Sequence, residues 1–191
     1  NNNFTVTSNM VVDGPTTVMR ATVASKTLTL TGNFTLSGGA TMDNDCRDNL
    51  TILTSGNLNE IFNGGFQTIK CFDLLSTKNN GGISLTNSAT TLDIKDDLRI
   101  NFTSGAVLVD NLNTIKVGDD AEIGTNFSNF VFTGTLEFTG IGANGDVHLS
   151  DLTGTGLPLA VFRNITVNTG VASGILRVVE MMPTTGNQTY T

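Results

Sequence analysis

The sequence predicts an all-β chain, a parallel β-helix (β-solenoid) with turns of about 23 residues. Three observations lead there. Apolar and polar residues alternate in short runs along the chain, as half-buried strands require. Gly, Asn, Asp or Ser interrupts each run soon after it begins, while long stretches of helical spacing are absent. The third observation is an internal period, which separates a solenoid from a β-sandwich with equally short strands.

Composition sets the outer limits. The chain has 191 residues, and no shift in composition divides it, so residues 1–191 read as one solenoid segment. Charged residues make up 14%, against about 25% in an ordinary domain. Thr, Asn, Ser and Gly provide the polar surface instead. With a net charge of −7 and ten basic residues spread thinly, the chain lacks the clustered Lys and Arg that neutralise phosphates. No apolar run approaches the ~18 residues of a membrane span. Two cysteines and one histidine supply neither a disulfide framework nor the four ligands of a zinc site.

In chain order, Asn1-Asn2-Asn3-Phe4-Thr5-Val6 already alternates as a strand and is no signal peptide. Either a leader has been removed or the chain is an internal piece of a longer one; the internal piece is the expectation. Strands follow in Thr27-Leu28-Thr29-Leu30-Thr31, Phe34-Thr35-Leu36, Leu50-Thr51-Ile52, Ile83-Ser84-Leu85, Val107-Leu108-Val109, Leu136-Glu137-Phe138, Val147-His148-Leu149 and Ile165-Thr166-Val167. Asp45-Cys46-Arg47-Asp48 reads as a turn. Asn57-Leu58-Asn59-Glu60-Ile61-Phe62 has some helical spacing but is too short to nucleate a helix before Asn63-Gly64-Gly65.

The period is clearest between residues 68 and 121. Thr68-Ile69-Lys70-Cys71, Thr91-Leu92-Asp93-Ile94 and Thr114-Ile115-Lys116-Val117 follow one another at a step of 23. Ile69, Leu92 and Ile115 should therefore form one interior stack, as should Cys71, Ile94 and Val117. The same step carries Asp73 to Asp96 to Asp119, and Val107 and Val109 to Phe130 and Phe132. Farther out the register drifts, from Asp48 to Asp73 and from Asp120 to Asp146, as turns absorb insertions. One turn cannot bury its own apolar face. Stacked turns can, with each strand about 4.8 Å above its counterpart. About eight turns would give a rod on the order of 40 Å long.

Several phrases resemble the Thr/Asn-rich, β-helical surface adhesins of Bacteroidetes, the gliding-type adhesins exported by type IX secretion. They are Leu50-Thr51-Ile52-Leu53-Thr54-Ser55-Gly56-Asn57-Leu58, Phe132-Thr133-Gly134-Thr135-Leu136-Glu137-Phe138 and Val161-Phe162-Arg163-Asn164-Ile165-Thr166-Val167-Asn168. The resemblance implies a long protein at the bacterial cell surface, roles in adhesion or gliding motility, and no catalytic residues. Its partners would be surface glycans or other proteins of the cell surface or secretion machinery. The family reading is expected to apply to an internal segment.

Candidate sites are few. The acidic column Asp48, Asp73, Asp96-Asp97 and Asp119-Asp120 offers stacked carboxylates, of which Asp73, Asp96 and Asp119 are the candidates for Ca²⁺. The glycine-rich nonapeptide of calcium-binding β-rolls is absent, and solvated turn residues account for the same pattern. Apart from that, no cofactor is expected. Cys46 and Cys71 lie about one turn apart, within reach of a disulfide if stacked, yet Cys71 sits in an apolar column and Cys46 in the expected turn. Two separate thiols are the simpler expectation. Lys70, Asp93, Lys95, Arg99 and Lys116 fall within three turns, as charged groups do in polysaccharide-cutting β-helices, though outward strand positions are commonly just surface. His148, between Val147 and Leu149, should face solvent. Thr-x-Thr runs suggest an ice-binding face, but the equivalent positions change to Lys, Asp and Asn in other turns. Asn-x-Ser/Thr triplets at Asn3, Asn33, Asn49, Asn101, Asn126, Asn164 and Asn187 are expected by chance in such a chain.

The reading is a non-enzymatic extracellular adhesin or stalk segment, with a polysaccharide lyase or hydrolase and a self-assembling filament subunit as alternatives. Each end of a solenoid exposes unpaired backbone groups, and neither terminus offers a capping helix. Flanking segments or another chain are therefore expected to cover the ends, and the isolated chain to associate end to end.

Overall fold

The structure is a computed structural model that describes residues 3–56, 59–78, 81–86, 89–102, 107–124, 131–140, 148–151, 161–168 and 180–181. The described residues form a stack of parallel strands, a β-solenoid. Five successive turns carry a strand on each of three faces. The first turn holds β1 (Phe4–Val6), β2 (Met10–Asp13) and β3 (Val18–Met19), and the second β4 (Lys26–Leu30), β5 (Phe34–Ser37) and β6 (Thr41–Met42). A short helix, α1 (Asn44–Asn49), leads into the third turn, β7 (Leu50–Gly56), β8 (Glu60–Asn63) and β9 (Thr68–Cys71). The fourth has β10 (Leu74–Lys78), β11 (Gly82–Leu85) and β12 (Thr91–Ile94), and the fifth β13 (Leu98–Phe102), β14 (Val107–Val109) and β15 (Thr114–Val117). Beyond them lie β16 (Ala121–Gly124), β17 (Val131–Phe138), β18 (His148–Asp151), β19 (Val161–Val167) and β20 (Glu180–Met181).

The first face is one sheet in the order β1-β4-β7-β10-β13-β16-β18-β20. The second runs β2-β5-β8-β11-β14, and the third contains β3-β6 and β9-β12-β15. The long β17 pairs with β14 at its start and β15 farther along, so the second and third faces merge there. Among the described residues no helix is long and apolar enough to cross a membrane.

Like residues stack inside. On the first face Leu28, Ile52, Leu74, Leu98, Ala121 and Leu149 form one buried column. Burying each of the larger side chains contributes at most about 1.5–3 kcal/mol. On the second face Phe34 meets Phe62 edge to face, ring centroids 6.3 Å apart. The expected third-face stacks hold: Ile69, Leu92 and Ile115 are in register and buried, continued by Leu136, and Cys71, Ile94 and Val117 are continued by Phe138.

Two expectations are corrected. Asp45-Cys46-Arg47-Asp48 is the body of α1 and not a turn. Asp43 caps it, accepting a bond from the Asn44 N–H; Asp45 and Arg47 complement the helix ends, and Cys46 is buried beneath. A single turn of helix has no periodicity to read, and packing holds it. Secondly, Val109 pairs with Val131, one residue before Phe132, because that step is shorter than the repeat; Phe130 and Asp146 lie outside the described residues. The segment read as too short for a helix has Glu60-Ile61-Phe62 in strand β8, and its Asn57 and Leu58 lie outside the described residues.

The acidic column is also re-registered. The corner before β10 has two residues, Phe72 and Asp73, whereas the next two corners have three. Leu74 pairs with Leu98 and Leu98 with Ala121, so Asp73, Asp97 and Asp120 follow one another, with Asp96 and Asp119 one position to the side. Thr51, and not Asp48, adjoins Asp73; Asp48 lies on α1.

Candidate functional site: a charged cleft on the third face

The third face brings together four of the five charged residues noted in sequence. Period-two alternation turns Lys70, Asp93 and Lys116 outward while Ile69, Leu92 and Ile115 point in. Strand pairing then sets Lys70, Asp93, Lys116 and Glu137 in one column of alternating charge. Opposite charges facing each other across parallel strands support this register. Lys116 Nζ lies 3.1 Å from Glu137 Oε2. Arg99 is elsewhere, on the first face with Glu122 and Asp97.

Helix α1 rises beside this column and turns a flat face into a cleft. Arg47 Nε reaches both oxygens of Asp93 at 3.1 Å, and Lys95 Nζ lies 2.9 Å from Asp48 Oδ1. The Lys70 ammonium donates to the amide oxygen of Asn44 at 2.8 Å. The cleft has a volume of about 400 Å³, lined by Asn44, Arg47, Asp48, Lys70, Asp93, Lys116 and Thr139. A second hollow of about 340 Å³ lies on the other side of Asp48 and reaches Phe72 and Asp73. Sequence reasoning missed α1 and thus the cleft, because Arg47 meets Asp93 across 46 residues.

Asp73, Asp96 and Asp97 do converge, each offering an oxygen within 4.8 Å of the others, and Asp119 is not of that group. The set supplies three carboxylates where Ca²⁺ takes six to eight oxygens. Two of these acids serve the backbone: Asp73 Oδ1 accepts from the Asp97 N–H at 3.3 Å, and Asp97 Oδ1 from the Asp120 N–H at 3.4 Å. Burial, then the neighbouring Asp96 charge, pushes Asp97 up to about 6. Burial, then Asp73, also raises Asp96.

No protein-family model, curated protein or solved structure matches the chain.

Cys46 and Cys71 are buried free thiols. Burial pushes Cys46 up to about 11 and Cys71 well above its ordinary value, which disfavours the reactive thiolate in both. Cys46 donates instead to the Met19 carbonyl. His148 is in β18, but its side chain lies outside the described ones. Several sequon asparagines have structural work: Asn3 and Asn33 accept from the N–H groups of Thr27 and Ile61, while Asn49 and Asn164 donate to the carbonyls of Ala21 and Gly134.

Proposed function

We propose that the chain is a non-enzymatic segment of an extracellular bacterial adhesin or stalk, a rigid solenoid that presents or spaces binding regions at the cell surface. The observation that supports it is the way the third face spends its charge. Arg47 with Asp93, Lys95 with Asp48 and Lys116 with Glu137 form ion pairs across turns, an arrangement that locks register. A general acid or base needs a carboxylate or amine free to exchange a proton with substrate. The continuous parallel pairing of the eight strands of the first face gives stiffness, since backbone groups of its inner strands are held above and below. The Thr/Asn-rich phrases that resemble gliding-type adhesins agree with this reading.

Incubation with acidic and neutral polysaccharides tests it. No new reducing or unsaturated ends should form above a blank. Their release would overturn the proposal in favour of a β-helix lyase or hydrolase, and Asp93→Asn with Lys95→Ala should then abolish that release.

A further inference from the structure

The corner that leads into the third face repeats an unusual backbone. Phe66, Ala89 and Leu112, each 23 residues after the last, have φ of 70°, 45° and 65°. Bulky residues rarely adopt the left-handed region, and such strain concentrates where it serves function. The three side chains are exposed, Phe66 by 76% and Leu112 by 67%. Glycine would relieve the backbone at these positions, yet apolar groups stand there in an outward row.

Next to this ridge, on the face itself, is a row of hydroxyls: Thr68, Thr91, Thr114 and Thr135 pair in register. Beyond it comes the charged column, then α1. The third face is thus a channel along the solenoid axis, with an apolar rim, a hydroxyl floor and a charged wall that repeat from turn to turn. The wall carries Arg47, Lys70, Lys95 and Lys116 against Asp45, Asp48, Asp93 and Glu137, a balance of charge on a chain whose total is −7. Arg47, Lys95 and Lys116 are ion-paired, whereas the Lys70 ammonium is held by the neutral Asn44 amide.

We propose that the third face binds an extended anionic polysaccharide, resting on the adhesin reading above. Apolar C–H faces of sugar rings lie on Phe66 and Leu112, ring hydroxyls bond to the threonine row, and a carboxylate or sulfate takes the Lys70 ammonium in place of Asn44. The repeat of the face along its axis suits a polymer more than a small molecule.

The whole chain is titrated with polygalacturonate, a sulfated galactan and neutral dextran, and the first two separate carboxylate from sulfate as the anionic group. Binding to at least one anionic polymer is expected, with Lys70→Ala and Phe66→Ala each weakening it at least fivefold and Thr77→Ala, an exposed change on the first face, leaving it unchanged. Circular dichroism confirms that the variants are folded. Absence of binding to both anionic polymers, equal binding to dextran, or binding insensitive to Lys70 and Phe66 would each overturn the proposal while leaving the stalk reading in place. Release of new chain ends would instead overturn the adhesin reading beneath it.

Discussion

At the scale of single residues, Asp97 shows how burial beside like charges shifts the chemistry of a carboxyl. An unfolded Asp titrates near 3.8, whereas Asp97 is held at about 6 by burial and then by the Asp96 charge. The folded protein therefore binds more protons than the unfolded one between those values. Stability should rise as pH falls from about 7 toward 4, and this group's contribution should be level above about 7. A displacement of this size corresponds to roughly 3 kcal/mol. A quarter of the side chain is exposed and Arg99 lies 3.6 Å away, so about 1–2 kcal/mol is a more realistic effect. Asp97→Asn keeps an oxygen for the Asp120 N–H and removes the charge. Urea midpoints at pH 7, 6 and 5 should increase on acidification in the parent chain, and the variant should be more stable at pH 7 with a flatter profile. A parent midpoint that falls from pH 7 to pH 5 would show that this carboxyl is not displaced upward.

Among the elements, β17 departs most from the three-strand turn, and Gly134 is what permits it. Here the chain runs through the corner as one strand, so its backbone passes close to the preceding turn. A Cβ at Gly134 would fall 2.0 Å from the Asn113 carbonyl oxygen and under 3 Å from other backbone atoms. The Gly134 N–H also donates to buried Asp110, 2.7 Å from Oδ2, and Asp110 Oδ1 takes the Thr133 N–H and hydroxyl. Backbone cannot move aside as a side-chain tip can. Gly134→Ala should therefore cost about 3 kcal/mol or more, in the range of overpacked sites. Its thermal midpoint should drop by several degrees, while Ala at exposed Thr77 should change it little. A Gly134→Ala midpoint equal to that of the parent would contradict the close passage of β17 over Asn113.

For the molecule as a whole, one buried ion pair ties two faces together across the interior. Lys78 on the first face and Glu60 on the second are at most 1% exposed, with Nζ 3.1 Å from Oε1. Burial raises the Glu60 pKa, and the Lys78 charge partly offsets it. Beside them the buried Thr54 hydroxyl donates to Ser76 at 2.7 Å. Removing one partner leaves the other charge in a medium that cannot solvate it. Lys78→Met should destabilise by about 3–5 kcal/mol, and adding Glu60→Met should recover most of that loss. Denaturant unfolding of the two variants checks it: a double variant no more stable than Lys78→Met alone would mean the pair adds more than charge compensation.

The sequence by itself determined the parallel solenoid, because apolar alternation and a step of 23 residues leave Ile69, Leu92 and Ile115 only one way to bury together. The outward column of Lys70, Asp93 and Lys116 followed from the same two periods. Only the tertiary structure decided where the step departs from 23. One additional residue at a corner costs a solenoid little, yet it moved Asp97 and Asp120, and not Asp96 and Asp119, into line with Asp73. It also decided α1, whose six residues carry no periodic signal and are held by a buried cysteine and by ion pairs to strands far along the chain. The left-handed corners of Phe66 and Leu112 were equally illegible, since nothing in those residue types favours that backbone. Periodic contacts between like residues leave a trace in the sequence; contacts between distant residues that occur once do not.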